Sequence, residues 1–143
     1  MSATRLEPPI SAVAAPFWEA TRRRELVLQW CEGCDKPIHY PRALCPFCNS
    51  DALEFRAVSG SGTVYARTVV HRPGNPTMAE RVPYVVALIQ LDEGARLMSN
   101  VVGCEPHDVH VGMQVKTTWE ELSDGRALPL FEPSDAVAKG EDI

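Results

Sequence analysis

Cys31-Glu-Gly-Cys34 and Cys45-Pro-Phe-Cys48 decide how this chain is read. Ten residues separate the two pairs. Each C-x-x-C turn offers two thiolates to one ion, and two such turns complete a tetrahedral shell. With all four positions filled by protein, no place is left for a catalytic water, so the expected role is structural. Zn²⁺ suits this shell, and iron uses the same ligands; spacing does not separate the two. Leu26-Val-Leu-Gln-Trp30 reads as a strand entering the first knuckle, and Ile38-His-Tyr40 as its returning partner. Two knuckles on short hairpins are the plan of a zinc ribbon, expected over residues 26–54.

Upstream lies an aperiodic arm rich in Pro, Ala and Ser, followed by Pro16-Phe-Trp-Glu-Ala-Thr-Arg-Arg-Arg24. Proline in a first turn predicts a short helix. Phe17 and Ala20 share one face, with Trp18 beside them, and Arg22 to Arg24 sit where cations suit the helix dipole. Arm and helix together occupy residues 1–25.

Downstream the character becomes β. Leu53 to Val58 alternates into Ser59-Gly-Ser-Gly62, a turn signal. Thr63–His71 is rich in β-branched residues, and Arg72–Pro83 is a long loop. Tyr84-Val-Val-Ala-Leu-Ile-Gln-Leu91 is a near-continuous apolar run, expected as a buried strand. Ala95–Val102, Val115–Leu122 and Arg126–Phe131 complete five strands, the last two joined by Asp124-Gly125, a hairpin signal. Glu105–His110 is expected to make one helical turn. This pattern predicts a mainly β protein: N-terminal helix, rubredoxin-like zinc ribbon, then a five-stranded OB-fold barrel over 55–133, with an SH3-like barrel as the alternative. Residues 134–143 read as a flexible acidic tail.

Composition narrows the function classes. Net charge is −5, whereas nucleic-acid binders usually carry a basic surplus because phosphate neutralisation supplies their affinity. No apolar run approaches the ~20 residues that span a bilayer. No charged segment leads into an apolar one at the N-terminus, so no secretory signal is expected and the cytoplasm follows. Walker, dinucleotide-binding and nucleophile-elbow motifs are missing. Cys104 stands at a strand end near His107 and is expected to be a core or surface thiol rather than a nucleophile. His39, His71, His107 and His110 lack metal-ligand spacing.

The order of these features resembles the DUF35 family, acyl-CoA-associated proteins that join a rubredoxin-like zinc ribbon to an OB-fold. Phe17-Trp18 is similar to the family's opening helix. Leu26-Val-Leu-Gln-Trp-Cys-Glu-Gly-Cys34 and Tyr40-Pro-Arg-Ala-Leu-Cys-Pro-Phe-Cys48 are similar to its ribbon. Pro83-Tyr-Val-Val-Ala-Leu-Ile-Gln-Leu-Asp-Glu-Gly94 and Val111-Gly-Met-Gln-Val115 are similar to its barrel strands. The resemblance implies structural Zn²⁺ on Cys31, Cys34, Cys45 and Cys48. It implies a free-standing, non-catalytic accessory subunit in a hetero-oligomer with a thiolase-fold partner. Such complexes act on CoA thioesters in aromatic or steroid degradation, as in benzoylsuccinyl-CoA thiolase or a steroid side-chain aldolase. Candidates for the CoA phosphates are Arg22, Arg23, Arg24, Arg42 and Arg81; Phe17 and Trp18 are candidate anchors for the partner. Binding of single-stranded nucleic acid is the competing function, disfavoured by the acidic balance.

Overall fold

The computed structural model describes residues 6–134. One helix, α1 (Ala15–Thr21), precedes eight strands: β1 (Val27–Cys31), β2 (Lys36–Ile38), β3 (Leu53–Ala57), β4 (Ser61–Val70), β5 (Tyr84–Leu91), β6 (Arg96–Val101), β7 (Gln114–Glu121) and β8 (Ala127–Pro133). They form a three-stranded sheet, β2-β1-β3, and a closed barrel, β4-β5-β6-β8-β7. The chain is therefore mainly β, a ribbon followed by a five-stranded barrel. Among the described residues no helix is long and apolar enough to cross a membrane.

Helix α1 carries Pro16 in its first turn and buries Phe17, Trp18, Ala20 and Thr21. It stops three residues short of the expected end, because Arg24 takes a left-handed backbone at φ 56°. Thr21 fixes the helix to the barrel. Its hydroxyl donates to the Trp18 carbonyl at 2.6 Å and accepts from the Ala127 amide at 3.2 Å. A buried hydroxyl that both donates and accepts avoids the cost of an unmet polar group.

In the ribbon sheet β1 is the central strand, antiparallel to both neighbours. The return strand is Lys36–Ile38, two residues earlier than expected, since the knuckle turns directly into it. Residues 53–58, read as the entry to the barrel, behave differently. β3 pairs with β1 from Cys31↔Leu53 to Val27↔Ala57, and the barrel begins only at Ser61. The open edge of β1 is completed this way, and the ribbon sheet crosses the boundary expected at 54/55. Gly60 then redirects the chain at φ +84°, where a Cβ would lie 2.9 Å from the Thr117 hydroxyl.

The barrel closes through β7 on β4 and through a parallel pairing of β6 with β8 at Val101↔Phe131. Gly62 allows the close approach of β4 to β5, since a Cβ there would stand 2.7 Å from the Gln90 carbonyl. On β5, Val85, Ala87, Ile89 and Leu91 are buried, while the alternate residues are half-buried. Period-2 burial is the signature of a strand with two different faces. Here the second face is also largely apolar, which explains the continuous run in the sequence. The barrel core merges with α1 and with Leu26, Val27 and Leu28 of the ribbon, and a separate small cluster joins Cys31, Ile38 and Cys45. The long loop before β5 contains a 3-10 turn, Pro76–Met78, capped by the Asn75 side chain, and seats Met78 inside. The turn expected at 105–110 is a 3-10 turn at Pro106–Asp108. Residues 135–143 of the expected tail lie outside the described residues.

Candidate metal centre and the groove beside it

The two knuckles have the same local build. In each, the residue after the second cysteine bonds back to the first: Asp35 N–H to Cys31 O at 2.8 Å, and Asn49 N–H to Cys45 O at 2.9 Å. Asp35 and Asn49 both take positive φ, 56° and 65°, conformations that Asp and Asn tolerate better than most residues. The result brings the Sγ atoms of Cys31, Cys34, Cys45 and Cys48 within 4.8 Å of one another. Cys31 and Cys48 are 3.5 Å apart, and Cys34 and Cys45 3.7 Å. A tetrahedron with metal–sulfur bonds of about 2.3 Å has edges of about 3.8 Å, so the four sulfurs fit a Zn²⁺-sized ion. Such an ion would tie β1 to the second knuckle.

Electrostatics agree with a cation site. Burial and hydrogen bonds with its three partner thiols push the Cys34 thiol up to about 12. Burial would also raise Cys45, but amide donors from Phe47 and Cys48 outweigh it and bring that thiol down to about 7. Backbone N–H groups thus support charge on sulfur, and a dication among the four would relieve the crowding that keeps Cys34 protonated.

Beside the ribbon lies a groove of about 830 Å³. Its floor is the outer face of β5, β6 and β8, including Tyr84, Val86, Met98 and Leu130. Its walls are the arm at residues 6–11, Phe17 and Trp18 of α1, His39 and Tyr40 of the ribbon, and the turn Asn75–Met78. This outer face with its long first loop is where OB-folds take ligands. Three links fix the walls. The Trp18 indole donates to the Tyr40 hydroxyl at 2.8 Å. The Arg126 guanidinium, almost fully buried, lies 5.0 Å over the Trp18 ring and donates to the Pro8 carbonyl at 2.9 Å. The Glu7 carboxylate accepts from the amide and hydroxyl of Ser123.

His39 faces this groove with its Nδ1 buried and unpartnered. Burial pushes its imidazole down to about 4 from the ordinary 6.5. As pH falls below 6.5 the unfolded chain takes up this proton, but the folded chain does so only near 4. Stability is therefore full above 6.5 and declines as pH falls toward 4, by up to about 3 kcal/mol. Urea unfolding at neutral pH and near pH ~4.5 should show that decline in the native protein and much less of it in His39→Gln. An equal decline in both would assign the loss to other groups.

The five candidate arginines do not converge. Arg22 donates to the Asp124 carbonyl and pairs with Glu19. Arg23 pairs with Glu25, Arg24 with Glu121, and Arg81 with Glu120. Arg42 uses its backbone to hold the Gln29 side chain, and its exposed guanidinium has no partner among the described residues. Phe17 and Trp18, 3% and 4% exposed, pack edge to face at 5.0 Å and line the groove instead of protruding.

Comparison with known proteins places this architecture. Residues 18–54 match the family described as ChsH2, rubredoxin-like zinc ribbon domain, and residues 55–120 match ChsH2, C-terminal OB-fold domain. A Methanocaldococcus jannaschii protein named DUF35 domain-containing scaffold protein is 36% identical over 96 residues, 66% of this chain and 67% of the relative. The chain belongs to the DUF35 family. Among solved structures, this DUF35 protein is similar to a chain of an Ltp2-ChsH2(DUF35) aldolase, with TM-score 0.79 and 38% identity over 89% of this chain and 98% of the other. A Thermomonospora curvata protein named probable enoyl-CoA hydratase alpha subunit is 39% identical over 92% of this chain, which spans 41% of that relative's length.

The DUF35 barrel also holds a smaller cavity of about 320 Å³ lined by Cys104, Arg81 and Glu120, among others. Burial first, then the carboxylates of Asp108 and Glu105, push the Cys104 thiol above its ordinary value. A nucleophilic cysteine needs the opposite shift. His71 and His107, unremarkable in the sequence, lie side by side with ring centroids 6.3 Å apart and planes tilted by 32°.

Proposed function

We propose that this chain is a non-catalytic accessory subunit of a thiolase-fold enzyme complex, an aldolase or thiolase that acts on acyl-CoA thioesters. It holds the thioester and steadies the partner, and the nucleophile belongs to the partner. The observation that carries this reading is the likeness over 98% of a chain in an aldolase whose name includes a second component, Ltp2. The name of the longer Thermomonospora curvata relative, an enoyl-CoA hydratase subunit, points to the same class of substrate. The raised thiol of Cys104 supports the division of labour. The four-cysteine centre would hold structural Zn²⁺, and Arg42, whose guanidinium has no partner among the described residues, is the first of the five candidate arginines to assign to CoA phosphates. The thioesters are those of aromatic or steroid acids, and the complex is cytoplasmic.

Co-expression with a candidate thiolase-fold partner tests the reading. The two should co-purify, and the partner should turn over its CoA thioester at least ~10-fold faster in the complex. A partner that neither binds nor changes its turnover would sink the reading. Arg42→Ala should raise KM for the thioester with kcat unchanged, the pattern of lost uniform binding.

A further inference from the structure

The groove that α1, the ribbon and the barrel enclose has one property that narrows its ligand. Among the described residues no Asp, Glu, Lys or Arg lines it. The only ring in it that titrates near neutrality, His39, is held neutral by burial. Its polar groups are neutral and mostly engaged already. Ser99 donates to the Pro129 carbonyl at 2.7 Å, Asn100 to the Val85 carbonyl at 2.7 Å, and Asn75 caps the turn at Thr77. A site without charges cannot compensate phosphates, which cost many kcal/mol to take from water unpaired. Its volume, about 830 Å³, lies in the range of sites that enclose a drug-sized organic molecule.

We infer that this groove is the seat of the uncharged, apolar acyl group of a CoA thioester, with the nucleotide end outside it. This rests on the thioester reading above and assigns the two ends of that ligand to different surfaces. The floor residues Val86, Met98, Leu128 and Leu130 supply apolar area. Met98 is 69% exposed, and with the exposed Leu6 and Ile10 it shares the lining of one groove, so the exposed apolar surface is gathered there and not scattered singly. Charge matching selects the acyl end over the phosphate end: the groove is neutral, and exposed cations such as Arg42 lie outside its lining. The arm provides the outer wall, fixed at Glu7 and Pro8 to the β7–β8 hairpin. Leu6 and Ile10 on that wall are largely exposed, so the wall itself adds apolar surface for a longer acyl group.

The test is a titration of the full metal-loaded chain with straight-chain acyl-CoAs from acetyl to decanoyl, followed by Trp fluorescence, since Trp18 lines the groove. Affinity should rise about fourfold per added methylene, the factor that burial of about 0.8 kcal/mol per CH₂ gives. Coenzyme A alone should not displace the longer members. Met98→Asp, placed at an exposed side chain that folding does not need, and Val86→Asp should both flatten the series. Affinity independent of chain length, or a series unchanged in both variants, overturns the assignment. If Met98→Asp instead abolishes co-purification with the thiolase-fold partner and acyl length has no effect, the groove seats a protein segment and the assignment is wrong. Failure of the proposed function looks different: no partner co-purifies, while the chain-length series in the isolated protein persists.

Discussion

Cys45→Ser should empty the metal centre and melt the ribbon end of the molecule. Cys45 is fully buried, and its sulfur accepts the Phe47 amide at 3.3 Å while lying 3.7 Å from Cys34. A serine hydroxyl is a poor ligand for a thiolate-selecting ion, and the three remaining sulfurs cannot complete the shell. Structural zinc in small modules supplies on the order of 10 kcal/mol of folding free energy. Whole domains of this size have only ~5–15 kcal/mol to lose. The expected result is metal content falling from about one ion per chain to near zero, with destabilisation of at least about 3 kcal/mol. Elemental analysis and thermal unfolding read the two quantities. A variant that loses the metal yet melts with the native transition would refute a structural role. Cys31→Ser, at the other fully buried sulfur, should behave alike.

Phe131→Ala should be the most damaging single change in the barrel, costing about 3–5 kcal/mol. Phe131 is fully buried and lies where β8 meets β6 in the parallel pairing that closes the barrel. Its carbonyl accepts the Val102 amide at 2.7 Å. Removing the ring leaves a cavity at this seam, and neighbours held by strand pairing on both sides cannot collapse into it. Urea unfolding should show the midpoint shift with the slope unchanged. Phe131→Leu should retain most of the stability. A loss below about 1 kcal/mol for the alanine variant would show that the site relaxes and the seam is not rigid.

Much of this architecture is legible in the residues themselves. The cysteine spacing, the glycine and Asp-Gly turns and the β-branched runs announce a ribbon followed by a five-stranded barrel, and the chain folds so. Where the structure adds to this reading, the causes are physical. Leu53–Val58 alternates, and alternation shows that a strand has two faces without saying which sheet it joins. Only the free edge of β1 decides that β3 completes the ribbon. The apolar run of β5 reads as burial on both faces, and the structure shows one face in the core and the other flooring the groove. That groove is not local in sequence. It needs the arm, α1, two ribbon residues and three strands, so no motif announces it. Four of the five candidate arginines lie beside carboxylates, a matter of pairing geometry that spacing does not encode.

Strand β1 ends in a metal ligand and begins among the barrel's own core residues, for Cys31 closes the small sulfur cluster while Val27 and Leu28 belong to the large one. Cutting the chain between ribbon and barrel would therefore leave two raw apolar surfaces, neither half a viable protein. The two modules must be inherited, transplanted or lost together. A designer who wants to graft this unit onto another protein has to move all of it, from the helix through β8, as a single indivisible cassette.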